Sequence, residues 1–333
     1  MYLFCSRIYV SRGGVQMANE ERTLFIKNRS LETEELLVLA RKHTGTLFCE
    51  KTYSEFLDLM SKFHRYSFIN NLLIQIQFPS ASYISGIDTW KMVAADVFGD
   101  PDYPIVQPQY YKKGIKILIP FTDTSSDSGS WSRKLIPIPV SVFDIRQVNN
   151  LPSPEEEIFT IETVDRFLTP SIRSHAPYRM VLTDKTDRVI GAGFGSYFAP
   201  ESEFIVISDA LNETGRTMEY LRTWSLKTIE DIFKEKDLDA SYVGFASSSV
   251  EYVVRCALGL NHSDIAFNYV SQYASGSSTE LWPILHCIQT AAHKIIEKLT
   301  DYIEEEKAMA SVDWFDEGTL FDYDFLGEDD YEV

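Results

Sequence analysis

The sequence lacks the features that most directly assign a chain to a class. Its four cysteines are far apart and form no C-x-x-C pair, so we predict neither a disulfide framework nor a zinc knuckle. No apolar run approaches the roughly 20 residues of a membrane span. None of the six histidines is followed by glutamate, which excludes the H-E-x-x-H helix of zinc peptidases. We therefore expect a cytoplasmic protein without membrane contact, bound metal or other cofactor.

Basic residues are also scarce. Lysine and arginine number 31 against 49 aspartates and glutamates, a formal net charge of −18, which excludes a protein that coats nucleic acid over its whole surface. The imbalance is uneven. Residues 304–333 hold 12 acidic residues and one basic residue, whereas residues 41–146 hold 12 basic and 10 acidic ones. Any nucleic-acid contact is therefore predicted to be local and to lie in the N-terminal half.

The first 16 residues differ from the rest of the chain. Ser11-Arg12-Gly13-Gly14 can be encoded by a purine-rich string that resembles a bacterial ribosome-binding site, just ahead of Met17. We therefore expect residues 1–16 to be a mistranslated leader. The alternative is a short disordered N-terminal tail, which leaves the fold unchanged.

Hydrophobic periodicity predicts an N-terminal domain of helices and a β-hairpin over residues 17–150. Helices are expected over Leu31–His43 and Ser54–Phe78, where apolar residues recur at helical spacing. Two strand-like stretches, 104–120 and 135–145, flank a polar loop. They predict a hairpin with a long tip.

A second domain is predicted to follow a Pro-punctuated, charged linker at residues 151–158. Residues 159–306 are expected to form a small sheet followed by a helical bundle, so that the whole chain is α+β. The predicted elements are strands Tyr178–Leu182 and Phe204–Ile207 and helices Thr217–Lys234, Ser241–Leu258, Asp264–Tyr273 and Ser278–Glu306. Residues 307–333 are predicted to be an acidic tail with interspersed aromatic residues and no regular period.

An ordered series of motifs runs through the N-terminal half. The blocks are Phe63-His64-Arg65-Tyr66-Ser67-Phe68-Ile69-Asn70-Asn71-Leu72-Leu73-Ile74, Gln77-Phe78-Pro79-Ser80-Ala81, Gly86, Trp90, Lys112-Lys113-Gly114-Ile115-Lys116-Ile117 and Val142-Phe143-Asp144-Ile145-Arg146-Gln147. The series resembles the N-terminal domain of the ArdC/LtrC-type antirestriction proteins of plasmids and other mobile elements. The resemblance implies a helix-plus-hairpin domain that binds single-stranded DNA.

This resemblance suggests a set of DNA-binding residues, because single strands are held by cations on phosphates and by aromatic faces on bases. The candidates are Arg65, Tyr66, Asn70, Asn71, Lys112, Lys113 and Lys116. Several of them also have a structural alternative. Tyr66 fits a core position, the two asparagines could satisfy buried backbone groups, and Lys112 and Lys113 could belong to a solvated strand end.

In the C-terminal half, a second set of residues resembles the final helices of the second domain of the same family: Tyr252-Val253-Val254, Gly259-Leu260, Ser263-Asp264, Phe267, Tyr269, Ile288, Thr290 and Ala291. This resemblance implies a zincin-type metallopeptidase fold. Aligning by Thr217 and Leu221 places the zinc motif on residues 223–227, and the acidic ligand falls in the segment around Ser248. The degenerate ligand positions are Thr223, Trp224, Lys227 and Ser248. A lysine would repel a divalent cation, so we expect a pseudo-peptidase without metal ligands, and no enzyme.

Two functions remain open from the sequence. The first is an antirestriction or anti-defence protein of a mobile element or phage, which binds single-stranded DNA and carries a catalytically dead metallopeptidase-like domain. The alternative is a protein–protein inhibitor or scaffold with an acidic, DNA-mimic-like surface and no DNA affinity. In either case the acidic tail could dock on a host defence or DNA-processing protein, since carboxylates can stand in for phosphates and rings for bases. It could also dock on the protein's own basic groove or simply aid solubility.

Overall fold

The computed structural model describes residues 19–100, 114–123, 134–149, 151, 164–184, 195–273 and 276–316. The architecture is α+β, as the sequence predicts, with eight helices and two three-stranded sheets in these ranges. The helices are α1 (Asn19–Leu47), α2 (Glu50–Lys62), α3 (Phe68–Gln77), α4 (Ile87–Phe98), α5 (Thr169–His175), α6 (Glu213–Lys236), α7 (Val243–Ala257) and α8 (Ser278–Asp316). The strands are β1 (Ile84–Ser85), β2 (Ile115–Asp123), β3 (Lys134–Asp144), β4 (Arg179–Thr183), β5 (Ser196–Ala199) and β6 (Phe204–Ser208).

The single helix predicted over Ser54–Phe78 is wrong, because the chain forms two helices, α2 and α3, with a turn between them. Ser67 is extended, and its side chain accepts a hydrogen bond from the backbone N–H of Asn70, which caps α3. The cap begins a new helix, so the backbone hydrogen bonds of α2 do not continue into α3, although the apolar spacing runs through the break. The helix expected over Leu31–His43 is present within the longer α1.

The first sheet contains the predicted hairpin. β2 pairs antiparallel with β3 from Ile115 opposite Val142 to Asp123 opposite Lys134, and β1 pairs with the other edge of β3. The expected strand residues 104–113 and most of the polar tip lie outside the described ranges. The sequence prediction missed α4, which buries Trp90 against this sheet, where its indole N–H donates to the Phe143 carbonyl at 2.9 Å.

The second sheet has the order β4-β6-β5, with β4 parallel and β5 antiparallel to β6. The two predicted strands are confirmed as β4 and β6, whereas β5 was not expected. The helix predicted over Asp264–Tyr273 is wrong, because only a 3₁₀ turn forms there, at Val270–Tyr273. Just before this segment, the Asn261 side chain accepts from the N–H and hydroxyl of Ser263, a local bond that competes with helix formation.

One hydrophobic core joins the N-terminal helices to the C-terminal bundle. Tyr53 of α2 is fully buried against Phe245 and Phe267, with ring centroids 5.3 and 5.2 Å apart, and its hydroxyl lies 2.8 Å from that of Ser249. The predicted linker lies outside the described ranges except for Leu151, so the division into domains stays a prediction.

The last helix extends beyond its predicted end. α8 continues from Ser278 to Asp316, ten residues past the expected end at Glu306, so that the start of the predicted acidic tail is helical. Residues 317–333 lie outside the described ranges. Within those ranges, no helix is both long and apolar enough to cross a membrane.

Two side-chain amides of α3 close the free edge of β2. Asn70 accepts from the Leu118 N–H and donates to the Leu118 carbonyl, both at 2.8 Å. Gln77, two helical turns further on, makes the same pair of bonds to Lys116 at 2.9 Å. Because β3 occupies only the opposite edge, these amides take the place of a third strand and leave these four backbone groups satisfied.

We predict that Asn70→Ala lowers the free energy of unfolding by about 1–3 kcal/mol, because it leaves two partly buried backbone groups unpaired. Asn70→Asp should also destabilise, since a carboxylate cannot donate to the Leu118 carbonyl. Asn268→Ala, at an exposed amide, is the control and should have little effect. Urea unfolding of the three variants measures the difference. Equal stability of Asn70→Ala and the control would contradict this role.

Candidate functional site

The two asparagines among the predicted DNA-binding residues make structural contacts. Asn70 holds the edge of β2, as described above. Asn71 is fully buried, and its amide nitrogen donates to the carbonyls of Phe63, Tyr66 and Ser67 at 3.2–3.3 Å. These bonds close the turn between α2 and α3. The structural alternative for the pair therefore accounts for their contacts, and a DNA-binding role stays a prediction.

Tyr66 lies in the small core beneath the hairpin. Its ring packs edge-on against Phe63, with centroids 6.1 Å apart, beside Ile115 and Val142. Burial raises the pKa of its hydroxyl to about 12. Within the described ranges, this hydroxyl has no hydrogen-bond partner. The ring face is thus packed against protein, as the core alternative expects.

Two of the predicted cationic residues form ion pairs across the structure. Arg65, in the turn after α2, contacts Oε1 of Glu297 in α8 through Nη2 at 2.7 Å and Nε at 2.8 Å. Lys116 in β2 contacts Glu32 of α1 at 3.0 Å. All four side chains are about one-third exposed, so a polyanion would have to compete with two carboxylates. Lys112 and Lys113 lie outside the described ranges.

Glu297 and Glu32 are the partners that sequence reasoning missed. Glu297 is 232 positions from Arg65 in the chain, and no local pattern connects them. Glu297 follows His293 by four residues, so both lie on one face of α8. This spacing was the only feature of the sequence that marked Glu297.

The degenerate zinc positions carry no ligand set. Thr223 is buried and its hydroxyl lies 2.6 Å from that of Ser196, while Trp224 is part of the core. Lys227 pairs with Asp231 and lies over the ring of Phe198 at 5.2 Å. Ser248 of α7 is half-buried and hydrogen-bonds with Tyr269. None of these four positions offers an imidazole, thiolate or carboxylate for zinc.

Ion pairs occupy the space between α6 and α7 instead. Arg255 pairs with Glu251 one turn before it and with Asp264 at 2.9 Å, and the first two side chains are at least nine-tenths buried. On α6, Arg222 pairs with Glu219 at 2.6 Å. Burial raises the pKa of Glu251 to about 7, against the opposing effect of Arg255. Each described charge has an oppositely charged neighbour, which is typical of a structural network.

Two other groups of side chains have the composition and spacing to hold a metal ion. One is His64, His293 and Glu297, and the other is Asp58, Cys256 and His262. In each, the candidate ligand atoms lie within 4.8 Å of one another. Neither includes a degenerate zinc position. Both groups connect an N-terminal helix or turn with the C-terminal bundle.

Comparison with known proteins gives a structural likeness only. No protein-family model and no curated protein sequence matches the chain. Among solved structures, the chain is similar to the antirestriction protein ArdC from plasmid R388. The metal-free crystal structure shares 14% identity at a TM-score of 0.45, over 71% of this chain and 85% of that one. The Mn(II)-bound structure gives 12% identity and 0.44, over 71% and 84%.

We predict that the chain loses stability as pH falls from about 6.5 toward 4, in part through His64. Burial, His293 and Arg65 lower the pKa of His64 to about 4, although Glu297 opposes them. A histidine whose folded-state pKa lies below its unfolded value of about 6.5 contributes stability that is complete above that pH and is lost below it.

Thermal unfolding at pH 7.5 and pH 5, with a chelator present, measures this dependence. His64→Gln should show a smaller drop in Tm between the two values than the wild-type chain. His43→Gln controls for the loss of a histidine elsewhere. Equal drops in wild type and His64→Gln would contradict the assignment.

Proposed function

We propose that the chain is an antirestriction-type protein of a mobile element, which binds single-stranded DNA through its N-terminal half and uses the C-terminal half without catalysis. The observation that carries the proposal is the ordered series of sequence blocks from Phe63 to Gln147 that resembles the N-terminal domain of antirestriction proteins. Several spaced blocks agree in order, which makes the resemblance specific.

The contacts within these blocks build one scaffold around the hairpin. Asn70 and Gln77 hold β2, while Trp90 donates to Phe143 at the end of β3. The buried carboxylate of Asp144 accepts from the backbone N–H groups of Ser82 and Arg146. Most motif residues thus serve to fix the hairpin against α3 and α4. The DNA-binding role then falls on the cations that are not needed for this scaffold.

Lys112 and Lys113 are the strongest candidates for phosphate contact. In the sequence they immediately precede Gly114, which is followed by β2, and they themselves lie outside the described ranges. A Cβ on Gly114 would lie only 3.0–3.1 Å from Ser141 and Phe143, so the backbone packs closely onto β3 at this point. Two adjacent cations that precede this closely packed position in the sequence supply the charge that a single-strand backbone contact needs.

The non-catalytic assignment rests on side-chain chemistry at the degenerate positions. Hydrolysis by a zincin needs two imidazoles and a glutamate to hold the metal and activate water. Thr223, Trp224 and Lys227 supply none of these groups. We therefore expect no peptidase activity on a generic protein substrate in the presence of Zn²⁺ or Mn²⁺. Metal-dependent cleavage that co-purifies with the chain would contradict this part of the proposal.

We predict that Lys112→Ala combined with Lys113→Ala weakens binding to single-stranded oligothymidine. It should also reduce the slope of log affinity against log salt by about 1.4, since each phosphate contact contributes about 0.7. Lys234→Ala with Lys236→Ala, at the exposed end of α6, makes the same change in net charge and is the matched control. Fluorescence anisotropy over a salt series measures both pairs. No binding at low salt, or equal weakening by the control, would contradict the proposal and favour the inhibitor alternative.

The role of Arg65 needs a separate test because Glu297 engages its guanidinium. Glu297→Gln removes the competing charge with little change in shape. If Arg65 contacts DNA, this variant should bind oligothymidine more tightly than wild type, and Arg65→Ala should bind less tightly. If neither variant changes the affinity, Arg65 has only a structural role.

The acidic tail is proposed to dock on a partner protein rather than on the chain itself. The reason is that residues 41–146 have a net charge of only +2, too little to hold a strongly acidic segment tightly. Truncation after Asp316 keeps α8 intact and removes seven acidic residues and no basic ones. We predict that single-strand affinity is unchanged in this truncated chain. Tighter binding would show that the tail competes with DNA for the chain's own surface.

A further inference from the structure

Three potential metal ligands meet where α2 packs against α7. Asp58 lies on α2, Cys256 on the last turn of α7 and His262 in the segment after α7. A carboxylate oxygen, the sulfur and a ring nitrogen all lie within 4.8 Å of one another. The sulfur is 3.7 Å from Oδ1 of Asp58. Tetrahedral zinc with bonds of about 2.3 Å to sulfur and about 2.0 Å to oxygen would place those atoms about 3.5 Å apart.

Each of these side chains also has an outer partner that orients it. The Tyr252 hydroxyl donates to Asp58 at 2.8 Å. The hydroxyl oxygen of Ser61, which donates to the Asp58 backbone carbonyl at 2.8 Å, lies 3.1 Å from the sulfur of Cys256. Nδ1 of His262 lies 3.0 Å from the Leu260 carbonyl. Since a carbonyl can only accept, neutral His262 carries its proton on Nδ1 and has its lone pair on Nε2. Bound metals in proteins are typically surrounded by this kind of outer shell.

The charge of the group suits a soft divalent cation. Metal binding would release the thiol proton of Cys256. The resulting thiolate and the aspartate together carry two negative charges, which a zinc ion neutralises, and a neutral imidazole adds none. Sulfur and nitrogen ligands favour zinc over magnesium or calcium, which prefer oxygen.

The second group, His64 with His293 and Glu297, is less suited to a metal ion. Its two histidines already lie 3.2 Å apart through Nδ1, a distance at which one donates to the other. Its carboxylate is engaged by the guanidinium of Arg65 at 2.7 Å. A cation entering there would meet an existing positive charge, and the histidines would lose their mutual hydrogen bond.

We propose that Asp58, Cys256 and His262 form a zinc site that fastens α2 to the end of α7, with a fourth position open to water or an exogenous ligand. The site is separate from the degenerate zinc positions of the zincin-type motif, and it does not depend on the DNA-binding function. It would hold the N-terminal helices against the C-terminal bundle at a second place, in addition to the core around Tyr53.

The test uses the full chain, stripped of metal with a chelator and then titrated with Zn²⁺ or Co²⁺. We expect one equivalent of metal to bind, Zn²⁺ to raise Tm, and Co²⁺ to give a sulfur-to-cobalt charge-transfer band. Cys256→Ser should abolish this band. Asp58→Asn and His262→Gln should weaken Zn²⁺ binding, and Tyr252→Phe should weaken it about 10- to 100-fold through the outer shell.

Two controls separate this site from others. Cys287→Ser removes a buried cysteine outside the group, and His293→Gln removes a ligand of the competing group. Both variants should bind zinc as the wild type does. The Tm of each variant in chelator shows whether it folds without metal. If no stoichiometric metal binds, if the cobalt band survives in Cys256→Ser, or if zinc binding is lost in His293→Gln, the proposal is wrong.

Discussion

The closure of the β2 edge by side-chain amides is the constraint on which the N-terminal half depends. A two-stranded hairpin is marginally stable alone, and its free edge invites pairing with other chains. Asn70 and Gln77 satisfy that edge from a helix, so α3 and the hairpin must keep a fixed register. This register places Ile115 and Ile117 in the core and leaves Lys116 between them at the surface. A slip of one residue would exchange those faces.

The same register connects the hairpin to the rest of the molecule. The turn before α3 is closed by Asn71, and it presents Arg65 to Glu297 of α8 and His64 to His293. On the other side, α2 buries Tyr53 in the C-terminal core. The N-terminal motif therefore organises contacts with the bundle as well as its own small sheet, and most of its residues are engaged in packing or hydrogen bonding.

Much of the secondary structure followed from local pattern, whereas the site contacts did not. Alternation around Lys116 and a polar loop were sufficient to predict the hairpin. The break between α2 and α3 was hidden because Phe63 continues the apolar spacing across it. The turn is instead fixed by the Ser67 cap of α3 and by the side-chain amide of Asn71. The segment from Asp264 to Tyr273 was expected to be helical, but local bonds at Asn261 and the ion pair of Asp264 with Arg255 dominate there. Long-range partners such as Glu297 leave no trace in a local window.

Within the described ranges, these contacts assign most motif residues to the scaffold, and the proposed function places DNA binding on Lys112 and Lys113. The most direct test is ultraviolet cross-linking of a single-stranded oligonucleotide to the full chain, followed by peptide mapping of the adducts. The account predicts adducts in the peptide around Lys112 and Lys113 and none at Tyr66 or Asn70, whose side chains are packed inside the protein. Adducts concentrated at Tyr66 and Asn70, or none anywhere at low salt, would contradict it.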